Sequence, residues 1–89
     1  MQIRKKAIAG TMESSDAMVT VLPAEELAVQ IDSVVLAQYG QQIEAVVRGT
    51  LERLDVRCGE VLVDDHGAVD CVLAARVETA VRRAGGGED

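Results

Sequence analysis

LAVQIDSVVLAQYGQQIEAVVRGTLERL, residues 27–54, decides the fold because the hydrophobic period changes inside it. In residues 27–32 apolar and polar side chains alternate, which predicts a β-strand with one buried face. Farther along, apolar side chains recur every three or four residues, which predicts an amphipathic helix that includes residues 41–54. Two starts fit this helix: Ser33 could cap it, or the chain could enter it near Gly40. We expect one apolar stripe to lie in the core: Val35, Tyr39, Ile43, Val46, Val47, Leu51 and Leu54.

Before this stretch, the sequence indicates two further strands joined by a turn. Residues 3–13 form a weak strand pattern, and residues 17–22 contain the β-branched side chains that favour extended backbone. Residues 14–16 (Ser-Ser-Asp) and residues 23–25 (Pro-Ala-Glu) have the composition of turns. Because the connections are short, these strands and the strand at 27–32 predict an antiparallel meander.

After this stretch, the sequence indicates one more strand and one more helix. Residues 59–64 contain the apolar run Val-Leu-Val, and Asp65-His66-Gly67 closes the strand with a turn. From Ala68 the helical period returns and continues to the glycines that follow residue 84. We expect residues 85–89 (Gly-Gly-Gly-Glu-Asp) to end the helix and to be disordered.

The predicted element order is β-β-β-α-β-α, which indicates the α+β fold class. The simplest arrangement is a two-layer sandwich in which two helices cover a mainly antiparallel, four-stranded sheet. The chain of 89 residues is long enough for one domain, and we assign it to residues 1–84, with residues 85–89 as a tail. A glycine within the first helix, Gly49, suggests a close approach to the sheet.

Composition excludes several classes of function. The formal net charge of −6 disfavours binding to nucleic acids or anionic membranes. No signal peptide and no apolar run of about 20 residues is present, so we expect a cytoplasmic protein. Cys58 and Cys71 should therefore be reduced thiols, and their spacing matches no zinc motif.

Two hydroxyls, Ser14 and Ser15, are the most conspicuous candidates for chemistry. A nucleophilic serine of a hydrolase needs a histidine base and an oxyanion hole. This chain has only His66, about fifty residues away, and no Gly-x-Ser-x-Gly elbow. On composition alone, the two serines are turn residues.

Residues 9–16, AGTMESSD, and residues 63–71, VDDHGAVDC, give these serines a second interpretation. The first segment resembles the AGTLES[S/G]D motif of the citrate lyase acyl carrier protein family, the small gamma subunit of that enzyme. The second is similar to the family's VDDKGALDC, and residues 75–78 (ARVE) continue the match. The departures are a Met for Leu at position 12, a His for Lys at 66 and a Val for Leu at 69.

The resemblance implies that Ser14 carries 2′-(5″-phosphoribosyl)-3′-dephospho-coenzyme A through a phosphodiester, installed by a prosthetic-group transferase. The thiol of that arm would carry acetyl and citryl thioesters between the alpha (acyl transferase) and beta (citryl lyase) subunits. The chain itself would be a non-catalytic carrier with no metal and no catalytic residues. Alternatives are the carrier of malonate decarboxylase, which uses the same kind of group, and an unmodified small α+β interaction or regulatory domain.

A second candidate site is the segment Asp64-Asp65-His66-Gly67. Paired acids beside a histidine suggest a metal site, but a strand-to-helix turn explains them better, with an acid binding helix amides and Gly67 at positive φ. We expect Cys71 to be a buried small hydrophobe and Asp70 to favour the helix N-terminus. Arg76 is either a solvated helix residue or a docking residue.

Overall fold

The computed structural model describes residues 1–85. It contains four strands and two helices in the predicted order. The elements are β1 (Ala7–Gly10), β2 (Ala17–Leu22), β3 (Leu27–Ser33), α1 (Leu36–Arg53), β4 (Gly59–Asp65) and α2 (Asp70–Ala84). Within this described range, neither helix combines the length and the apolar character needed to cross a membrane.

The sheet is mixed, so the prediction of a mainly antiparallel sheet built on a meander was wrong. Its strand order is β1-β2-β4-β3. β2 pairs antiparallel with β1 and with β4, whereas β3 pairs with β4 in parallel. The reason is the length of α1: 18 residues span about 27 Å, enough to return the chain to the start of a parallel neighbour. β4 therefore lies between β2 and β3, so these two strands follow each other along the chain but do not pair with each other.

Both helices pack on one face of the sheet. That face carries the residues of β2 and β4 that point inward, and in the register Val19 lies opposite Val63 and Val21 opposite Val61. The helices contribute buried aliphatic side chains to the same core, among them Leu51 and Leu73. The two-layer α+β arrangement predicted from the sequence thus holds, apart from the strand pairing.

The apolar stripe of α1 is only partly in the core. Ile43, Val47, Leu51 and Leu54 are buried as predicted, and Val35 and Val46 pack against the core from its margin. Tyr39, however, is 51% exposed, and its side chain lines an open cleft beside the first turn of α1.

The structure also bears on three smaller expectations, of which the first two were wrong. α1 begins at Leu36, after Val35, so the helix starts at neither predicted position, although the Val35 amide donates to Ser33 Oγ (3.1 Å). A Cβ at Gly49 would meet nothing within 4 Å, so this glycine does not mark a close approach. α2 ends at Ala84 with Gly85 as its C-cap, as expected, and the rest of the predicted disordered tail, residues 86–89, lies outside the described residues.

Candidate functional site

The loop between β1 and β2 presents Ser14 at its outer corner. The Asp16 amide donates to the Glu13 carbonyl (3.2 Å), which closes a tight turn around the two serines. Ser15 has φ 66°, the left-handed conformation at the third position of such a turn. Ser14 is exposed, and within residues 1–85 its hydroxyl takes part in none of the side-chain hydrogen bonds that fix this loop. The Ser14 side chain is therefore accessible from solvent.

Gly10 explains why the chain can turn so tightly at the start of this loop. Its φ is +90°, and a Cβ built on it would collide with the carbonyl oxygen of Ala17. Only a residue without a side chain allows β1 and the first residue of β2 to approach this closely.

The carboxylate of Asp16 holds the loop together from inside. Its Oδ2 accepts from the Thr11 amide (3.2 Å) and from Thr11 Oγ1 (2.7 Å), and its Oδ1 accepts from the Ala17 amide (2.7 Å). These bonds link the first and last residues of the loop, so the segment that carries Ser14 is bounded on both sides by one side chain.

Arg76 of α2 fastens the loop to the rest of the domain. Arg76 Nε donates to Asp16 Oδ1 (2.9 Å) and a terminal guanidinium nitrogen donates to Oδ2 (3.2 Å), a bidentate pair. The Arg76 and Thr11 donors hold the pKa of the Asp16 carboxyl well below its ordinary value, and the same carboxylate raises the pKa of Arg76. The sequence left the role of Arg76 open; the structure makes it an anchor of the candidate loop.

The candidate loop also contacts the turn after β4. The Ser15 amide donates to the His66 carbonyl (2.8 Å), and the His66 amide donates to the Asp16 carbonyl (2.9 Å). The two segments that carry the family resemblance, 9–16 and 63–71, thus contact each other at one end of the sheet.

Asp65 organises that turn. It is buried, and its carboxylate accepts from Ser33 Oγ (2.7 Å), the Gly67 amide (3.2 Å) and the Ala68 amide (3.0 Å). Gly67 has φ +94°, so the predicted strand-to-helix turn is confirmed, but the acid binds amides of the turn and not those of α2 as predicted. His66 Nε2 lies 3.6 Å from Asp64 Oδ1, too far for a hydrogen bond. Nowhere in residues 1–85 do three or more His, Cys, Asp or Glu side chains gather as metal ligands would.

The start of α2 differs from the prediction in two respects. The helix begins at Asp70 rather than at Ala68. Cys71 is exposed rather than buried, because it lies in the first turn of α2 on the side that faces away from the core. Asp70 is in that first turn, as expected, and accepts from Gln42 Nε2 at 3.1 and 3.2 Å. Cys58 is exposed too, and neither cysteine forms a disulfide.

An open cleft lies between the first turns of α1 and the turn after β4. Its volume is about 470 Å³. Apolar side chains form most of its wall, including the exposed ring of Tyr39 and the exposed methyl groups of Val69. The complete lining is Val35, Tyr39, Gln42, Ile43, Asp65, Gly67, Ala68, Val69 and Asp70.

Comparison with known proteins assigns this arrangement to a family. Residues 4–84 match the family model described as malonate decarboxylase delta subunit (MdcD), an acyl carrier protein (ACP) model. A citrate lyase acyl carrier protein of Haemophilus influenzae is 52% identical over 84 residues, covering 94% of this chain and 88% of that protein. The chain belongs to the citrate lyase acyl carrier protein family.

A more distant relative and a solved structure agree with this membership. A citrate lyase acyl carrier protein of Treponema denticola is 42% identical, covering 94% of this chain and 97% of that protein. A chain in the crystal structure of a Pseudomonas malonate decarboxylase hetero-tetramer in complex with malonate has a TM-score of 0.82. At 20% identity over 93% of this chain and 87% of that chain, this structure establishes a shared fold alone.

Proposed function

We propose that this chain is the acyl carrier subunit of citrate lyase and that Ser14 is its attachment residue. The observation that carries the proposal is the exposed Ser14 hydroxyl at the outer corner of a loop fixed by Asp16 and Arg76. Relatives that are 42–52% identical and carry the name citrate lyase acyl carrier protein support the assignment of the enzyme.

The loop is better suited to carrying a large prosthetic group than to catalysing a reaction. The group we propose is 2′-(5″-phosphoribosyl)-3′-dephospho-coenzyme A, joined through a phosphodiester to the Ser14 hydroxyl. Ser14 is exposed and takes part in none of the side-chain hydrogen bonds that fix the loop, so attachment at its hydroxyl breaks none of those bonds. When bound, the group supplies a long arm whose thiol holds acetyl or citryl as a thioester.

The chain's own contribution is to position the arm. Asp16 and Arg76 keep the loop from collapsing or swinging, so the attachment point stays at a constant place on the domain. Tethering then makes each transfer between partners intramolecular, at a high effective concentration. The partners we propose are the alpha and beta subunits of citrate lyase and the prosthetic-group transferase; catalytic side chains belong to those subunits, and the expected location remains the cytoplasm.

Ser14 and Ser15 are distinguishable by substitution. Co-expression with the transferase, followed by intact mass and by peptide mapping of residues 7–18, should find the group on wild type and on Ser15→Ala. It should be absent from Ser14→Ala, whose fold should be intact because exposed turn substitutions change stability by about 0.5 kcal/mol or less. Loading of Ser14→Ala, or its loss in Ser15→Ala instead, would overturn the assignment of Ser14.

A carrier of malonate decarboxylase is the second candidate, because the family model that matches residues 4–84 has that description. The two candidates share the attachment chemistry and differ in their partners. Loaded carrier should bind the citrate lyase alpha subunit more tightly than the acyl-transferase subunit of malonate decarboxylase. The reverse order would favour the second candidate, and a wild-type chain that keeps its unmodified mass would favour a small unmodified interaction domain.

A further inference from the structure

The cleft lined by Tyr39 and Val69 lies beside the attachment loop. The Ser15 amide bonds the His66 carbonyl, so Ser14 is one residue before this contact and Gly67, which lines the cleft, is one residue after it. A flexible arm attached at Ser14 therefore begins next to an open apolar groove of the domain that carries it.

The chemistry of the cleft suits an uncharged, partly apolar chain. Tyr39 is 51% exposed and Val69 is 62% exposed, so both present apolar surface to solvent at the cleft. A volume of about 470 Å³ is within the range of small-ligand pockets, roughly 300–1,000 Å³. The pantetheine part of a coenzyme A arm has two methyl groups and two amides and carries no charge.

The same cleft is unfavourable for an anion. Its lining contains two carboxylates, Asp65 and Asp70, and includes no Lys, Arg or His. Asp65 is already bonded to the turn, and Asp70 accepts from Gln42 at the mouth of the cleft. A further negative charge brought here would lose its hydration and meet like charges.

We propose that this cleft holds the end of the prosthetic arm when that end is uncharged and releases it when the end is anionic. The inference rests on the proposed attachment at Ser14. An arm ending in acetyl rests against Tyr39 and Val69. An arm ending in citryl, which bears carboxylates, is displaced from the cleft and is available to the partner subunits.

Tyr39 makes the proposal measurable because it is the chain's one tyrosine and the chain has no Trp or Phe. The experiment uses the isolated, loaded carrier with Cys58→Ser and Cys71→Ser, so that the arm thiol is its single thiol. Iodoacetamide caps that thiol with a neutral group and iodoacetate with an anionic one; in both a carbon–sulfur bond forms, and iodide and the thiol proton leave. Intact mass verifies loading and capping first.

The expected result is a displacement of the Tyr39 ring proton resonances in the neutral-capped carrier, relative to the unloaded Ser14→Ala chain, that is absent in the anionic-capped carrier. Val69→Glu should abolish the displacement. Ile8→Glu is the control, since Ile8 is also exposed and apolar but lies on β1, and it should leave the displacement unchanged. Unmoved Tyr39 resonances in a fully loaded carrier, or equal displacement with both caps, would overturn the proposal. A carrier that is not loaded at all would instead contradict the proposed function.

Discussion

At the scale of single residues, the candidate loop depends on backbone conformations that most side chains disfavour. Gly10 has φ +90° and Ser15 has φ 66°. The loop tolerates them because it is bonded on every side: Asp16 to Thr11 and Ala17, Arg76 to Asp16, and Ser15 to His66. Strained positions persist where the surroundings determine them, and such positions are concentrated at functional sites.

Gly10→Ala should destabilise the domain by about 2 kcal/mol or more, because the new Cβ would collide with the Ala17 carbonyl at an unfavourable φ. Urea unfolding measures the loss. The control is Gly49→Ala, which adds a Cβ to open space within a helix and should stabilise by roughly 0.5–1 kcal/mol. A Gly10→Ala domain as stable as wild type would mean that the hairpin is not packed as described.

Asp16→Asn should weaken the domain at neutral pH and matter less in acid. The pKa of Asp16 is held below its ordinary value of 3.8 by Arg76 and Thr11. The stability that the charged form contributes is therefore complete above about pH 3.8 and declines as the pH falls toward the lowered pKa. The difference in unfolding free energy between wild type and variant should shrink below that pH.

Thermal melts from pH 7 to pH 2 would measure this difference. Asp32→Asn serves as the control, since Asp32 is exposed on β3 and forms no ion pair within residues 1–85. A constant difference between wild type and Asp16→Asn across the whole range would mean that the Arg76 pair contributes nothing.

The sequence predicted the turn and its two serines, but it could not predict what holds them. Turn composition and the motif at residues 9–16 are local, and local patterns identify local structure. The Arg76–Asp16 pair joins residues 60 positions apart, and only the packing of α2 on the hairpin brings them together. Arg76 on a charged helix face is indistinguishable, in sequence, from any solvated arginine.

At the scale of elements, α1 serves two environments. Its C-terminal part, from Ile43 onward, packs on the sheet, while its first turn forms a wall of the cleft. Helical periodicity predicted the buried positions of this C-terminal part correctly. It failed at Tyr39 because the period identifies which side of the helix a residue lies on, not whether another element covers that side at that point.

Leu51→Ala should destabilise the isolated domain by about 2–5 kcal/mol, since Leu51 is 1% exposed and the core has no aromatic side chain to compensate. This is a large share of the stability of a small domain. Leu36→Ala is the matched control in the same helix at a 46% exposed position, where the effect should be small. If Leu51→Ala left the isolated domain intact and only weakened assembly with other subunits, the stripe would be an interface.

At the scale of the whole molecule, the mixed sheet gathers its functional segments at one end. The end of β3, the end of β4 and the start of β2 lie at the same end of the sheet, because β3 pairs with β4 in parallel and β2 pairs with β4 antiparallel. The strand segments were predictable from alternation and β-branched residues. Their order was not, because a short link such as residues 23–26 suits a hairpin equally well, and nothing local reveals that a later strand inserts between its neighbours.

EDTA should leave the thermal midpoint of the isolated domain unchanged. The best candidate ligand, Asp65, already accepts three hydrogen bonds from its own turn and from Ser33. A structural zinc site would need four donors. A clear fall in the midpoint on chelation, reversed by added zinc, would revive a metal site at residues 64–66.

The central position of β4 also has a consequence for the order of events during synthesis. A ribosome releases Ser14 before the residues whose contacts shape the loop around it, because those contacts come from residues 66 and 76, much later in the chain. A nascent chain lacking them has neither the middle strand of its sheet nor the arginine that fixes the hairpin. A modifying enzyme that recognises the closed loop would thus find its substrate only on chains that extend past residue 76, and shorter fragments would escape loading.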